Sequence, residues 1–228
     1  NGLAASMAIL PEEFPVVLTV FLALGAWRLS RKNVLTRRPS AIETLGSATV
    51  LCSDKTGTIT QNRMEVTEVY DGQRHYPADK LDSVNEVTTM LLRSAHFASG
   101  LKSVDPMEIA ISEAYHKFNA PGLEDFKLVK EYAFNRESMS MTRVMREENF
   151  PGNSVFAKGA PEGIFGFCRL SEQDTARYMA AVEKMAAKGY RVIAVANAVV
   201  DQHTLPDKQE EFHFTFSGLI GLTDPIRP

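Results

Sequence analysis

Apolar and polar positions change rhythm several times along the chain, and each change marks a predicted element. Residues 2–27 are mostly apolar and carry only two charges, Glu12 and Glu13. Read as one helix at 1.5 Å per residue, they would extend about 39 Å, enough to cross a bilayer. The basic cluster that follows is Arg28, Arg31, Lys32, Arg37 and Arg38. It is the flank expected on the cytoplasmic side of a membrane span. A signal peptide would place its charges before the apolar core instead; a buried helix of a soluble core is the other reading of this pattern. Pro11 and Pro15 flank the two acids, and each removes a backbone donor. Helices broken in this way at membrane depth line a cavity or a site.

Residues 47–53 read as a short buried strand running into the turn residues Asp54-Lys55-Thr56-Gly57-Thr58. Alternation over 64–70 predicts another strand, with a hairpin at Asp71-Gly72. Helical spacing covers 84–96 and 106–118. Strands are expected at 130–134, 142–146 and 154–158. A helix over 171–188 stops at Gly189, and apolar strands follow at 191–198 and 212–222. Residues 218–225 read as a strand leaving this region. No internal repeat and no low-complexity tract is visible.

The 228 residues are 44% hydrophobic and 23% charged, with a formal net charge of −3. That balance argues against a nucleic-acid partner, which would require a clearly basic face. Two cysteines, Cys52 and Cys168, make neither a disulfide framework nor a metal cluster, and fit a reducing compartment.

The stretch Asp54 to Asn62 concentrates the chemistry. A carboxylate can attack a phosphoryl group, and open α/β sheets place their sites at the carboxyl ends of strands. Lys55 adds positive charge, and Gly57 permits a tight turn. The amides and hydroxyls of Thr56 and Thr58 can donate to phosphate. A carboxylate also suits magnesium, which takes few carboxylates together with phosphate oxygens. An ordinary Asp-capped turn would share the first four residues; the specificity lies in all nine behind an apolar strand.

Asp54-Lys55-Thr56-Gly57-Thr58-Ile59-Thr60-Gln61-Asn62 resembles the signature of the P-type ATPases, within the haloacid-dehalogenase superfamily. The resemblance implies that Asp54 is the residue phosphorylated by ATP. Lys55 and Thr56 would position phosphate and magnesium, Thr56 partly through its backbone carbonyl. Phosphatases of the superfamily usually carry a second Asp, a general acid, where this chain has Thr56. Its replacement implies an acyl-phosphate that persists. Ile9-Leu10-Pro11-Glu12-Glu13-Phe14-Pro15 resembles the proline-flanked centre of the fourth transmembrane helix of these pumps. Glu12 matches the ion-binding Glu, whereas Glu13 stands where calcium-type members have Gly. A carboxylate with freed carbonyls makes a hard-cation site. No cysteine lies here, which argues against copper, zinc and cadmium.

In this family a nucleotide-binding domain follows the phosphorylation motif, and residues 63–216 have its place. Glu108, in Asp105-Pro106-Met107-Glu108, resembles the acid facing the adenine amino group. By itself it reads more readily as an acid complementing the helix dipole. Phe134, before Asn135-Arg136-Glu137-Ser138-Met139-Ser140-Met141, resembles the ring that stacks on adenine. The Lys usual after that Phe is missing, and Arg136 is the residue available to substitute for it. Lys158 and Gly159 of Lys158-Gly159-Ala160-Pro161-Glu162 resemble the mouth of the nucleotide pocket. Arg191 resembles the arginine that contacts ATP phosphates. Asp224 and Arg227, in Thr223-Asp224-Pro225-Ile226-Arg227, resemble the hinge lining the closed cleft.

The implied architecture is α/β in four parts. A transmembrane helix occupies 1–28, and 29–62 begin an incomplete Rossmann-like phosphorylation domain. Residues 63–216 form an inserted α+β nucleotide-binding domain with an antiparallel sheet, and 217–228 are the hinge and return. The implied cofactors are ATP and magnesium. The implied partners are a transported calcium-like cation, a lipid membrane and the remainder of the same polypeptide. Residues 28–228 would be cytoplasmic, and the chain alone would not turn over ATP. A soluble phosphatase of the same superfamily and a non-catalytic nucleotide-binding module are the alternative readings.

Overall fold

The structure, a computed structural model, describes residues 13–35, 37–38, 40–81, 86–100, 103–118, 126–147, 151–200 and 205–227. Two compact units divide the chain, residues 1–53 and 54–228. In the first, helices α1 Glu13–Ser30 and α2 Ser40–Gly46 meet where Gly25 faces Ile42. The second holds strands β1 Glu65–Tyr70 and β2 His75–Pro77, then helices α3 Glu86–Phe97 and α4 Pro106–Phe118. Strands β3 Phe126–Asn135, β4 Ser140–Glu147 and β5 Asn153–Gly159 follow, then helices α5 Pro161–Cys168 and α6 Glu172–Ala186, and strands β6 Arg191–Val200 and β7 Thr215–Thr223.

These strands form one antiparallel sheet in the order β2-β1-β7-β6-β5-β4-β3. Its topology follows from β6, whose sequence is apolar at nearly every position. Successive strand residues point to opposite faces, so such a run is stable only where both faces are covered. One face of the sheet receives α3 and α4, with Leu91, Leu92, Ala95 and Ile111 packed on Val69, Val195 and Ile220. The other receives α5 and α6, with Ile164, Phe165, Ala181 and Met185 packed on Val155, Ala194, Ala196 and Leu219. Small alanines in β6 admit the aromatic rings of α5.

Local signals start the helices as expected. The Ser171 hydroxyl accepts from the Asp174 amide at 3.1 Å, and Glu172 and Asp174 complement the dipole of α6. Pro161 opens α5, where its missing amide hydrogen is not needed. That helix is absent from the sequence expectations, because eight residues beginning Pro-Glu-Gly read equally as a turn. Strands β3 to β6 run one to four residues beyond their expected bounds, since ladder pairing extends past the apolar alternation, whereas β1 starts one residue and β7 three residues later than expected. The strand that ends the sheet, β7, lies between β1 and β6 rather than at its margin.

One expectation is corrected. Residues 47–53 form no strand; Val50 and Leu51 are 77% and 82% exposed. An apolar strand needs a neighbour to satisfy its backbone, and among the described residues none pairs with this segment. Nor is any described helix long and apolar enough to cross a membrane. Helix α1 has 18 residues, roughly 27 Å at 1.5 Å per residue, against about 30 Å of hydrocarbon. The start of the expected span, residues 1–12, lies outside the described residues.

His96 gives the second unit a pH dependence. Its ring stacks on Tyr115 at 4.4 Å and lies edge-on to His116, and its Nδ1 is buried without a partner. Burial, and then the nearby His116, push its pKa down to about 4. The unfolded chain therefore binds the proton more readily than the folded one. The stability this residue contributes is complete above pH 6.5 and is lost as pH falls towards 4. The loss should be on the order of 2 kcal/mol. Urea unfolding at pH 7 and pH 4.5 should show that fall, and His96→Gln should reduce it.

Candidate functional site

The expected site residues gather in two places within residues 54–228. The first is a cavity of about 490 Å³, a size typical of small-molecule sites. Glu108, Phe134, Lys158, Gly159 and Arg191 all line it. Glu108 comes from the first turn of α4, which Asp105 caps by accepting from the Met107 amide at 2.7 Å. Phe134 comes from the end of β3 and is 59% exposed, so its ring is open to a flat ligand. Lys158 stands on β5 opposite Met141 of β4, and Arg191 begins β6. Pleating and pairing thus bring together residues from four distant stretches.

Lys158 and Glu108 are paired inside the cavity. Lys158 is only 8% exposed, and its ammonium donates to Glu108 Oε1 at 2.5 Å and to Ser99 Oγ at 2.8 Å. The other Glu108 oxygen accepts from the Gly100 amide at 2.9 Å. Burial pushes the Glu108 carboxyl up. Hydrogen bonds from Lys158 and Ser103, the Lys158 charge and the Gly100 amide outweigh it and hold the carboxyl below its ordinary range. Burial lowers the Lys158 pKa, and Glu108 partly restores it. An unpaired ammonium at this depth would lose its proton or leave the site.

Gly159 has a packing role in addition to its place at the cavity. It pairs with Ser140, and a side-chain carbon would come within 2.7 Å of Ser140 Cα and collide with the Met139 carbonyl. Arg136 is exposed in the turn between β3 and β4 and is not among the lining residues. The hydrophobic lining includes Met107, Met139 and Met141, to which the sequence analysis assigns no role. Alternation along β4 could have found Met141, which shares a face with Arg143. Ser99 carried no sequence signal.

The second place is the segment from Asp54 to Arg63. Thr56 has φ −76° and ψ 119°, and Gly57 has φ 80° and ψ −9°. These are the angles of a type II turn, whose third residue needs positive φ and hence glycine. The Thr60 amide closes the wider loop onto the Lys55 carbonyl at 3.1 Å. Asp54, Lys55 and Thr56 are exposed and do not line the cavity. Asp224 and Arg227 are not in the cavity either. Asp224 accepts from the buried Thr60 hydroxyl at 2.5 Å and from the Arg63 amide at 3.2 Å. Arg227 donates to the carbonyls of Thr60 and Gly57, at 2.9 Å and 3.1 Å. Outgoing and incoming chain are thereby joined at one neck. Among the described residues no three Asp, Glu, His or Cys side chains come together as a metal site. Magnesium needs fewer from the protein when phosphate oxygens complete its shell, so Asp54 and Thr56 are compatible with it. Glu12 lies outside the described residues.

Gly159→Ala should destabilise residues 54–228 by about 2 kcal/mol or more, because backbone must move to admit the carbon. Gly166→Ala, on α5 with nothing within 4 Å, should leave the unfolding midpoint unchanged or raise it. Parallel denaturant titrations compare the two.

Comparison with known proteins agrees with this geometry. The family model described as P-type ATPase, cytoplasmic domain N, matches residues 88–228. The chain is 30% identical to calcium-transporting ATPase 1 of Schizosaccharomyces pombe over 265 aligned residues. It is also 30% identical to calcium-transporting ATPase 1 of Bacillus cereus over 248. In both cases the alignment covers 100% of this chain and 28% of the relative. A sodium/potassium exporting P-type ATPase of Schizosaccharomyces pombe is 29% identical, over 99% of this chain and 27% of its own length. The chain therefore spans little more than a quarter of the length of these relatives. A domain-N match over most of the chain, a cavity holding the expected nucleotide residues and an Asp-Lys-Thr-Gly-Thr loop place it in the P-type ATPase family.

Proposed function

We propose that this chain is the nucleotide-binding and phosphate-accepting part of an ATP-driven cation pump. The observation that supports this most is the cavity, where Glu108, Phe134, Lys158, Gly159 and Arg191 converge from separate stretches. Adenine would lie against Phe134, with the Glu108 carboxylate as acceptor for its amino group. Lys158 would hold Glu108 beside the base, and Arg191 would supply positive charge towards the phosphates, with Arg136 at the rim. Binding holds the nucleotide in one orientation, which is much of what phosphoryl transfer requires.

In the full-length protein a carboxylate oxygen of Asp54 attacks the γ-phosphorus in line. The new bond joins Asp54 to phosphorus, the bond to the β,γ-bridging oxygen breaks, and ADP leaves with that electron pair. Asp54 and the Thr56 carbonyl would hold magnesium, which would supply charge neutralisation to the phosphates when bound. Lys55 offers further charge. Thr56 cannot protonate a leaving group or activate water as an acid would, so the aspartyl-phosphate persists. The bonds of Asp224 and Arg227 to the 57–63 segment make a neck about which residues 63–223 can move as a body. The remaining sheet of a Rossmann-like phosphorylation domain would come from the rest of the polypeptide.

Helix α1, continued by the residues before it, would form the cytoplasmic end of a membrane span that carries Glu12 as an ion ligand, with residues 28–228 cytoplasmic. Calcium or a similar hard cation suits that carboxylate, and several relatives carry calcium in their names.

The full-length protein in membranes, given γ-labelled ATP and magnesium, should take up acid-stable, hydroxylamine-sensitive label. Asp54→Asn should abolish it, and calcium should stimulate it; no label under any cation would reject the pump reading. For the isolated chain, calorimetry should detect ATP, and Phe134→Ala should weaken binding about 10-fold, the loss expected of one base–aromatic stack.

A further inference from the structure

Arg143 lies outside the cavity lining and outside the sequence expectations, yet it is 8% exposed and fully charged. It stands on β4, two residues beyond the cavity-lining Met141 and so on the same face of the sheet. Its guanidinium donates to Ser99 O at 2.6 Å and twice to Glu131 Oε2, at 2.7 Å and 2.5 Å. Ser99 is 2% exposed and follows the end of α3. Its hydroxyl donates to Ala95 O at 2.7 Å and accepts from the Lys158 ammonium. The next amide, Gly100, holds Glu108. Ser99-Gly100, Glu108 and Lys158 therefore close a hydrogen-bonded ring, and Arg143 attaches that ring to the sheet.

We infer that Arg143 is a positioning residue for nucleotide binding, acting through Ser99 to fix the Lys158 ammonium and the Glu108 carboxylate at the cavity. The geometry supports this in two ways. Without Arg143, the Ser99 carbonyl would be a buried acceptor without that donor at a helix end, and the loop would be free to shift. Any shift of Ser99-Gly100 moves the acceptor for Lys158 and the donor for Glu108 together, because they are adjacent on one backbone. Lysine could supply the charge of Arg143 but not its fork, which here spans two elements at once. Glu131 completes the set, so two buried cations and two carboxylates balance.

The inference rests on the nucleotide reading of the cavity, and a mutant cycle separates the two. ATP affinity of the 228-residue chain is measured by calorimetry for wild type, Arg143→Gln, Lys158→Met and the double variant. Arg143→Gln should weaken ATP binding about 5- to 10-fold in the wild-type chain. It should have a clearly smaller effect once Lys158 is methionine, because only the Glu108 carboxylate is left to position. Ser99→Ala, which removes the acceptor for Lys158 and keeps the carbonyl for Arg143, should behave in the same way. It serves as the test if Arg143→Gln does not fold, as judged by its thermal transition. Equal losses in both backgrounds, or no loss in the wild-type chain, would overturn the inference and leave the cavity reading intact. A wild-type chain that binds no ATP would overturn that reading and the inference with it.

Discussion

Placing one ammonium inside a protein is the constraint around which this site is built. Lys158 is nearly buried, so a carboxylate and a further acceptor must stand within hydrogen-bonding distance. Breaking such a pair by removing one partner leaves an uncompensated buried charge, at about 3–5 kcal/mol. Meeting that need determines where α4 docks, since Glu108 must come from its first turn. It determines the path of the chain after α3, since Ser99 and Gly100 must meet both charges. The cavity is the space beside this pair, open on the side of Phe134 and Arg191. A site arranged in this way presents charge to a ligand at a fixed place and needs little reorganisation when the ligand arrives.

The loop that carries Asp54 follows a different logic. Its residues are exposed, and its shape comes from a type II turn around Gly57 and from bonds to the returning chain. Asp224 and Arg227 act here as fasteners of the neck. The buried Thr60 hydroxyl joins both strands of the connection, accepting from the Gly57 amide at 3.2 Å and donating to Asp224. The neck closes a sheet in which β7 returns between β1 and β6.

Much of this was legible in the sequence. Alternation and apolar runs located six of the seven strands of the sheet; β2, three residues long, was visible only as the far side of the Asp71-Gly72 hairpin. Helix α4 was legible to the residue, since Pro106 and the apolar spacing mark its start and extent. The nine residues from Asp54 and the Lys158-Gly159 pair pointed to phosphoryl chemistry and nucleotide through resemblance. Residues 47–53 misled because apolar alternation records a wish to pair, and pairing needs a neighbour. Helix α5 was missed because eight residues carry too little periodicity to stand out from a turn.

By itself the sequence determined most of the element types, the family and the residue kinds available to a nucleotide. These depend on local stereochemistry and on patterns a few residues long. Only the tertiary structure decided which of those residues meet. Glu108, Phe134, Lys158 and Arg191 share a cavity, whereas Arg136, Asp224 and Arg227 lie elsewhere. It alone revealed Ser99 and Arg143, whose importance arises from contacts across 44 positions of chain between Ser99 and Arg143 and 59 between Ser99 and Lys158. The physical reason is the partner that burial demands. A buried charge must be matched by whatever the fold brings within about 3 Å, and no short-range pattern encodes which residue that will be.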